Sequence, residues 1–158
     1  MTTEARAALQ KHPFVHGWSA SLVDKLAVLA RDATFDRDQI IFKEGDDFHD
    51  FCLLVSGRVA LEIVSQGQTL RVQTVSAGDE FGWSAVLMGK GKYFQARALE
   101  QVKVIELNGA DLLALCKQDP AFGFELMYRL LDVVSERLQA TRLQLLDMYL
   151  PAAKRAGA

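Results

Sequence analysis

Between residues 33 and 107 the chain abandons helical periodicity and breaks into short β-rich runs, and this change of period limits its fold more than any other feature. The runs 39–42, 51–55, 59–64, 70–75, 93–99 and 102–107 are rich in branched and aromatic side chains. Turn-forming residues separate them: Glu44-Gly45-Asp46, Ser56-Gly57, Gln66-Gly67 and Ala77-Gly78-Asp79. Strands this short, punctuated at these intervals, predict a sandwich or barrel. Val59, Leu61 and Ile63 alternate with Ala60, Glu62 and Val64. That alternation predicts a hairpin with one face in water.

Helical spacing flanks this region. Residues 4–10 suit a short helix that ends near His12-Pro13, and Ser19 suits the N-cap of a helix over 20–30 with Leu22, Leu26, Leu29 and Ala30 on one face. Asn108 can cap a helix through Lys117, and Pro120 fits the first turn of a longer one over about 121–149. In that last helix Phe124, Met127, Leu131, Val134, Leu138, Thr141, Leu145 and Met148 step by 3, 4, 3, 4, 3, 4, 3. Such a seam is a heptad pattern. A second face, with Leu126, Leu130, Val133 and Leu146, suits packing on the β-rich body. A helix apolar on two faces needs two partners, and a second copy of the chain is the expected one, giving a homodimer. Burial of both faces inside one monomer is the alternative. Residues 1–150 then form a single domain, with a disordered tail over 151–158.

Bulk composition narrows the function classes. At 158 residues there is room for one domain with a full core. A formal net charge of −2 exerts no general pull on nucleic acid. No apolar run reaches the roughly 20 residues needed to span a bilayer. The N-terminus lacks the apolar centre of a secretory signal, and Cys52 and Cys116 lie far apart, so a cytoplasmic protein without membrane partners is expected. His12, His16 and His49 are too scattered for a metal site, and Asp46, Asp47 and Asp50 read as a solvated loop. Both cysteines read as core residues. Arg97 reads as an exposed strand cation, and Arg137 as a surface partner of Glu136 or Asp132. With no paired carboxylates and no nucleophile beside a base, the chain reads as a non-enzyme without catalytic residues, metal or cofactor.

The chemistry concentrates in residues 78–97. Gly78 and Gly82 bracket Phe81, a short apolar turn follows over 84–88, then a basic loop of Gly89, Lys90, Gly91 and Lys92, then an alternating strand. From Gly82 to Leu99 there are three cations, Lys90, Lys92 and Arg97, and no carboxylate. Backbone N–H groups freed by glycine beside fixed positive charge suit a small anion. The candidate ligand-binding residues are Phe81, Gly82, Trp83, Ser84, Lys92, Tyr93, Thr141 and Arg142.

Four segments make the chain resemble the cyclic nucleotide-binding domain of the catabolite-activator type of bacterial regulator. Ile40-Ile41-Phe42-Lys43-Glu44-Gly45-Asp46 is similar to the family's early strand and turn. Phe51 to Val59 is similar to its central hairpin, Gly78-Asp79-Glu80-Phe81-Gly82 to the entry of its phosphate-binding cassette, and Glu136 to Thr141 to its long helix. The resemblance implies a fold that is mainly β with flanking helices. It is a double-stranded β-helix or jelly-roll-like roll of eight strands plus a long C-terminal helix. It also implies a pocket for cyclic AMP or cyclic GMP, with communication between that pocket and the helix. Two positions depart from the pattern. Trp83 stands where the family has a ribose-binding glutamate, and Lys92 (or Gly91, in a shifted alignment) where it has a phosphate-binding arginine. Thr141 matches a family position that reaches the purine.

Two functions follow as expectations. One is a sensor that binds a cyclic nucleotide or another small anion and signals through its last helix. The other is a non-binding interaction module in which Trp83 fills the cavity and the helix seam does the work. Direct DNA binding is not expected, because Lys154 and Arg155 are too few to form a phosphate-reading patch.

Overall fold

Side-chain caps set the helices that begin the chain. The computed structural model describes residues 2–87 and 94–156, with backbone alone over 151–156. Thr2 accepts from the Ala5 amide to start α1 (Thr3–Lys11), and Ser19 accepts from the Leu22 amide to start α2 (Ala20–Leu29). Between them Pro13–Val15 form a single 3-10 turn. The His12 ring closes this corner, accepting from the Phe14 amide at Nδ1 and donating from Nε2 to the Leu54 carbonyl at 3.2 Å. Burial pushes the His12 imidazole below its ordinary pKa, which keeps it neutral for those two bonds.

Eight strands follow among the described residues: β1 (Ala30–Phe35), β2 (Ile40–Phe42), β3 (Asp50–Ser56), β4 (Arg58–Ser65), β5 (Gln68–Ser76), β6 (Glu80–Phe81), β7 (Gln95–Ala98) and β8 (Val102–Asn108). They pair antiparallel into two four-stranded sheets, in the orders β1-β8-β3-β6 and β2-β7-β4-β5. This is the mainly β roll with flanking helices. A four-residue helix α3 (Ser84–Leu87) follows β6, and two helices close the fold, α4 (Gly109–Gln118) and α5 (Pro120–Ala156). Asn108 caps α4 through its side-chain oxygen, which accepts from the Ala110 and Asp111 amides.

The first sheet is covered on both faces, which explains the unbroken apolar run of β3. Phe51 and Leu53 pack with Leu9, Phe14, Leu26, Leu112, Phe122, Leu126 and Leu130 from the helices. Cys52 and Leu54 face the other way, toward Val59, Val75, Phe81, Ala96 and Val104 inside the roll. A strand buried on both sides gains from every apolar residue, not from alternate ones.

Several expectations need correcting. The 59–64 strand is not half exposed: Val59, Ala60, Leu61 and Glu62 are all buried, and exposure resumes only toward Val64. Neighbouring strands lie on both sides of β4, and the Gln95 and Arg97 side chains of β7 meet Glu62 on the outer face. Arg97 is not an exposed cation, because its Nε lies 3.3 Å from the Glu62 carboxylate, which also accepts from Gln95 Nε2 at 2.8 Å. The polar β1 and the two-residue β6 were not expected as strands. Each is held at a sheet edge by its neighbour's backbone rather than by its own apolar pattern. Helix α5 continues through Pro151 to Ala156, beyond the expected end near Tyr149 and into the segment expected to be disordered. A proline removes one N–H and leaves one carbonyl unpaired, which a solvated helix end can satisfy with water. The start of the expected 93–99 strand lies outside the described residues.

Candidate functional site

The site begins at a glycine. Gly82 has φ +79°, a left-handed conformation that side chains rarely adopt, and there the chain turns from β6 into α3. The Gly82 carbonyl accepts from the Ala85 amide at 3.0 Å, and the Trp83 carbonyl from Val86 at 3.0 Å. A second glycine fixes where this turn sits. A Cβ at Gly109 would lie 2.1 Å from the Ala85 carbonyl oxygen, so α3 rests directly on the start of α4.

Beside this turn is a cavity of about 470 Å³. Glu80, Phe81, Gly82, Trp83 and Ser84 form one wall. The roll supplies a second wall with Phe42, Leu61, Ile63, Val72, Gln73 and Phe94. Helix α5 supplies the third with Val134, Arg137, Leu138, Ala140, Thr141 and Gln144. Positions 134, 137, 138, 141 and 144 share one helix face by their spacing. The helix therefore changes role along its length. Its early turns bury Leu126, Leu130 and Val133 in the core, and the turns from Val134 to Gln144 roof the cavity.

Among the described residues two side-chain hydrogen bonds hold that roof. Arg137 Nη2 donates to the Glu80 carbonyl at 2.6 Å, and Gln144 Nε2 donates to the Val72 carbonyl at 3.0 Å. The two donors are seven residues apart, about 10 Å along the axis. Thr141 Oγ1 donates to the Arg137 carbonyl one turn back, at 2.9 Å. Most of the wall is hydrocarbon, and Arg137 is its one cation among the described residues. Glu80 is the matching acid. Its pKa is raised from 4.5 to about 7, chiefly by burial, with Asp79 and Glu136 adding to the rise and Arg137 opposing it.

Of the candidate residues, Phe81, Gly82, Trp83, Ser84 and Thr141 come together on this cavity. Trp83 lines it and does not fill it. Arg142 lies on the exposed part of α5 and does not line the cavity. Lys92 and Tyr93, with the rest of the 89–92 loop, lie outside the described residues. Arg137, Glu80 and Gln144 were not among the candidates. One signal was available: Arg137 is four residues before Thr141 and so shares its helix face. The expected pairing of Arg137 with Glu136 or Asp132 gives way to the bond with Glu80.

Other polar groups are committed elsewhere. Asp50 pairs with Arg31 at 2.8 Å, Asp46 accepts from the Lys43 amide, and Asp47 pairs with His49. Among the described residues no cluster of three or more histidine, cysteine or acidic side chains is disposed to hold a metal ion. No described helix is long and apolar enough to cross a membrane.

Comparison with known proteins agrees with this architecture. The family model for the cyclic nucleotide-binding domain matches residues 33–119, more than half of the chain. No curated protein matches it. A candidate cyclic nucleotide-binding protein of Geobacter metallireducens is 26% identical with a TM-score of 0.73, over 87% of this chain and 99% of that one. The Catabolite Activator Protein of Thermus thermophilus is 25% identical with a TM-score of 0.71, over 87% of this chain, which spans 63% of that protein's length. A cyclic nucleotide-binding domain from Methylobacillus flagellatus, 20% identical with a TM-score of 0.79 over 92% of this chain and 82% of that one, is alike in fold.

Proposed function

The chain belongs to the cyclic nucleotide-binding domain family, and we propose that it is a ligand-sensing regulatory module whose cavity takes a small anionic ligand and whose α5 carries the signal. Cyclic AMP and cyclic GMP are the first ligands to consider, on the strength of the family. One observation carries the reading: the roll and α5 share the walls of a single cavity, so an occupant changes how the helix rests on the roll. A volume of about 470 Å³ falls within the range of small-molecule sites, roughly 300–1,000 Å³. Arg137 offers an anion positive charge, and Trp83 offers a planar face for stacking.

Signalling requires that the ligand prefer one helix arrangement over another. The bonds of Arg137 and Gln144 are the contacts an entering molecule would rearrange. The output surface is the exposed apolar stripe of α5, through which two copies pair in the cytoplasm. No catalytic step and no direct DNA contact is assigned to this chain.

Thermal melting with cyclic AMP, cyclic GMP, small phosphates and small carboxylates tests the reading. A bound ligand raises the melting temperature by mass action and changes hydrogen exchange along α5. If none of them shifts the melt at millimolar concentration, the sensor reading fails and the helix seam is left as the functional surface.

A further inference from the structure

Resting on the sensor reading above, we infer that Gln144, with Gln73 beside it, selects the ligand's ring. The pair favours a ring edge with an exocyclic amine next to a ring nitrogen, as in adenine and cytosine, over the keto edge of hypoxanthine or uracil. The cavity has two polar ends. At one, Arg137 is bonded to the Glu80 carbonyl, and Gly82, Trp83 and Ser84 follow in the chain. At the other, Gln144 donates to the Val72 carbonyl, the peptide group that leads into Gln73. Arg137 and Gln144 stand about 10 Å apart along the helix axis. A molecule anchored by an anionic group near Arg137 can therefore bring the far edge of a ring to the glutamines.

The hydrogen bonds already made decide what the far end still offers. A carbonyl only accepts, so the Gln144 amide must turn its nitrogen to Val72, which fixes the amide and leaves Oε1 as an acceptor. Thr141 Oγ1 spends its proton on the Arg137 carbonyl and keeps only lone pairs. Among the described residues the Gln73 carboxamide has no hydrogen-bond partner, so it can match a donor–acceptor edge of either kind. Gln73 therefore adds affinity, while Gln144 with Thr141 sets the preference, because this end holds more acceptors than donors. An exocyclic amine brings two N–H groups to it. A keto oxygen sets lone pairs against lone pairs. An amine beside a ring nitrogen is also the edge by which a glutamine reads adenine. Gln144 is exposed, so water competes and the preference is modest, about three- to tenfold.

Cyclic AMP and cyclic IMP differ only at this edge, amine against keto, and cyclic CMP and cyclic UMP repeat the comparison on a smaller ring. Calorimetric titration of the full chain should show the amine member of each pair that binds to be tighter by about three- to tenfold. Gln144→Ala should weaken both members and bring their ratio close to one, in a chain that still melts cooperatively. A role confined to holding the roof would weaken both and leave the ratio as it was. Gln73→Ala should weaken both members and keep the ratio. Equal or reversed affinities in the wild type overturn the inference, as does a ratio that survives Gln144→Ala or full affinity in Gln73→Ala, and in each case the sensor reading stands. A melt that responds to a small phosphate or carboxylate but to no cyclic nucleotide also overturns the inference alone. Silence from every compound overturns both.

Discussion

Arg137 Nη2 on α5 donates a 2.6 Å hydrogen bond to the backbone carbonyl of Glu80 on β6, 57 residues earlier in the chain. This bond ties the last helix to the strand that leads into the Gly82 turn, and both partners line the cavity. A charged donor to a part-buried carbonyl is stronger than a neutral one, and its loss leaves that oxygen short of a partner. Arg137→Ala should lower the unfolding free energy by about 1–2 kcal/mol. Arg137→Lys should recover part of this, since an ammonium keeps the charge without the fork. Urea denaturation reads both, and an unchanged midpoint in Arg137→Ala would show that the bond contributes nothing.

Glu80 makes stability depend on pH. Its folded pKa of about 7 lies above the ordinary value of 4.5, with burial as the largest cause. The folded state therefore holds the proton more tightly than the unfolded chain. As pH rises from about 4.5 to 7 the unfolded chain is the first to release it, and stability falls across that window and then levels. Glu80→Gln has no charge to bury. It should gain on the wild type by on the order of 2 kcal/mol at pH 8, after discounting for partial exposure, and match it near pH 4. His12 also shifts with pH, but it is common to both proteins and cancels in the comparison. A difference between the two that stays constant from pH 4 to 8 would refute the assignment.

The roll was legible because its strands are short, β-rich and separated by glycine turns, and the caps at Ser19 and Asn108 were legible because they rest on local hydrogen bonds. What stayed hidden depends on contacts between distant segments. Glu62 reads as the wet side of an alternating strand, yet it is 4% exposed because Gln95 and Arg97 arrive from β7. β6 is two residues long and exists through its pairing with Leu53 and Cys52. In the candidate site the Gly82 turn and Thr141 could be picked out from local pattern and family likeness. The pairing of Arg137 with Glu80 could not, since nothing near residue 137 announces a partner on β6. The hydrocarbon character of the cavity was equally invisible, because its walls come from strands whose side chains look like ordinary core.

Glu62 supplies a separate test of that buried polar cluster. Its Oε2 accepts from Gln95 at 2.8 Å and from Arg97 at 3.3 Å, on the opposite side of β4 from the Leu61 and Ile63 side chains that line the cavity. Glu62→Ala strands an amide and a guanidinium and should cost about 2–4 kcal/mol of stability. Glu62→Gln keeps the shape without the charge and should fall between. Ligand affinity of the surviving folded protein should be unchanged, so a loss of binding in Glu62→Gln would mean the two faces of the sheet are coupled.

Gly109 tests whether α3 has to sit where it does. The Cβ of an alanine there would meet the Ala85 carbonyl at 2.1 Å, and that neighbour is backbone. The helix turn carrying Ser84 must move outward, which is an overpacking cost of about 1–3 kcal/mol. Because Ser84 and Trp83 line the cavity, Gly109→Ala should also weaken whichever compound binds there. Melting temperature with and without that compound separates the two effects. Full stability and full binding would show that the α3–α4 contact yields freely.

The exposed stripe of α5 carries the last expectation. Leu131 is 62% exposed and Met148 74%, and Phe124, Leu138 and Leu145 are also exposed along the same seam. Apolar side chains repeating at this spacing on one helix suit a parallel copy of themselves. Leu131 is the position to change, because it lies on the seam but not on the cavity, whereas Leu138 belongs to both. Sedimentation of the wild type should give twice the monomer mass, and Leu131→Asp should give the monomer, since a carboxylate in the seam loses its water without a partner. Circular dichroism should show the roll intact in the variant. A wild type that sediments as a monomer would overturn the pairing, as would a Leu131→Asp variant that stays dimeric.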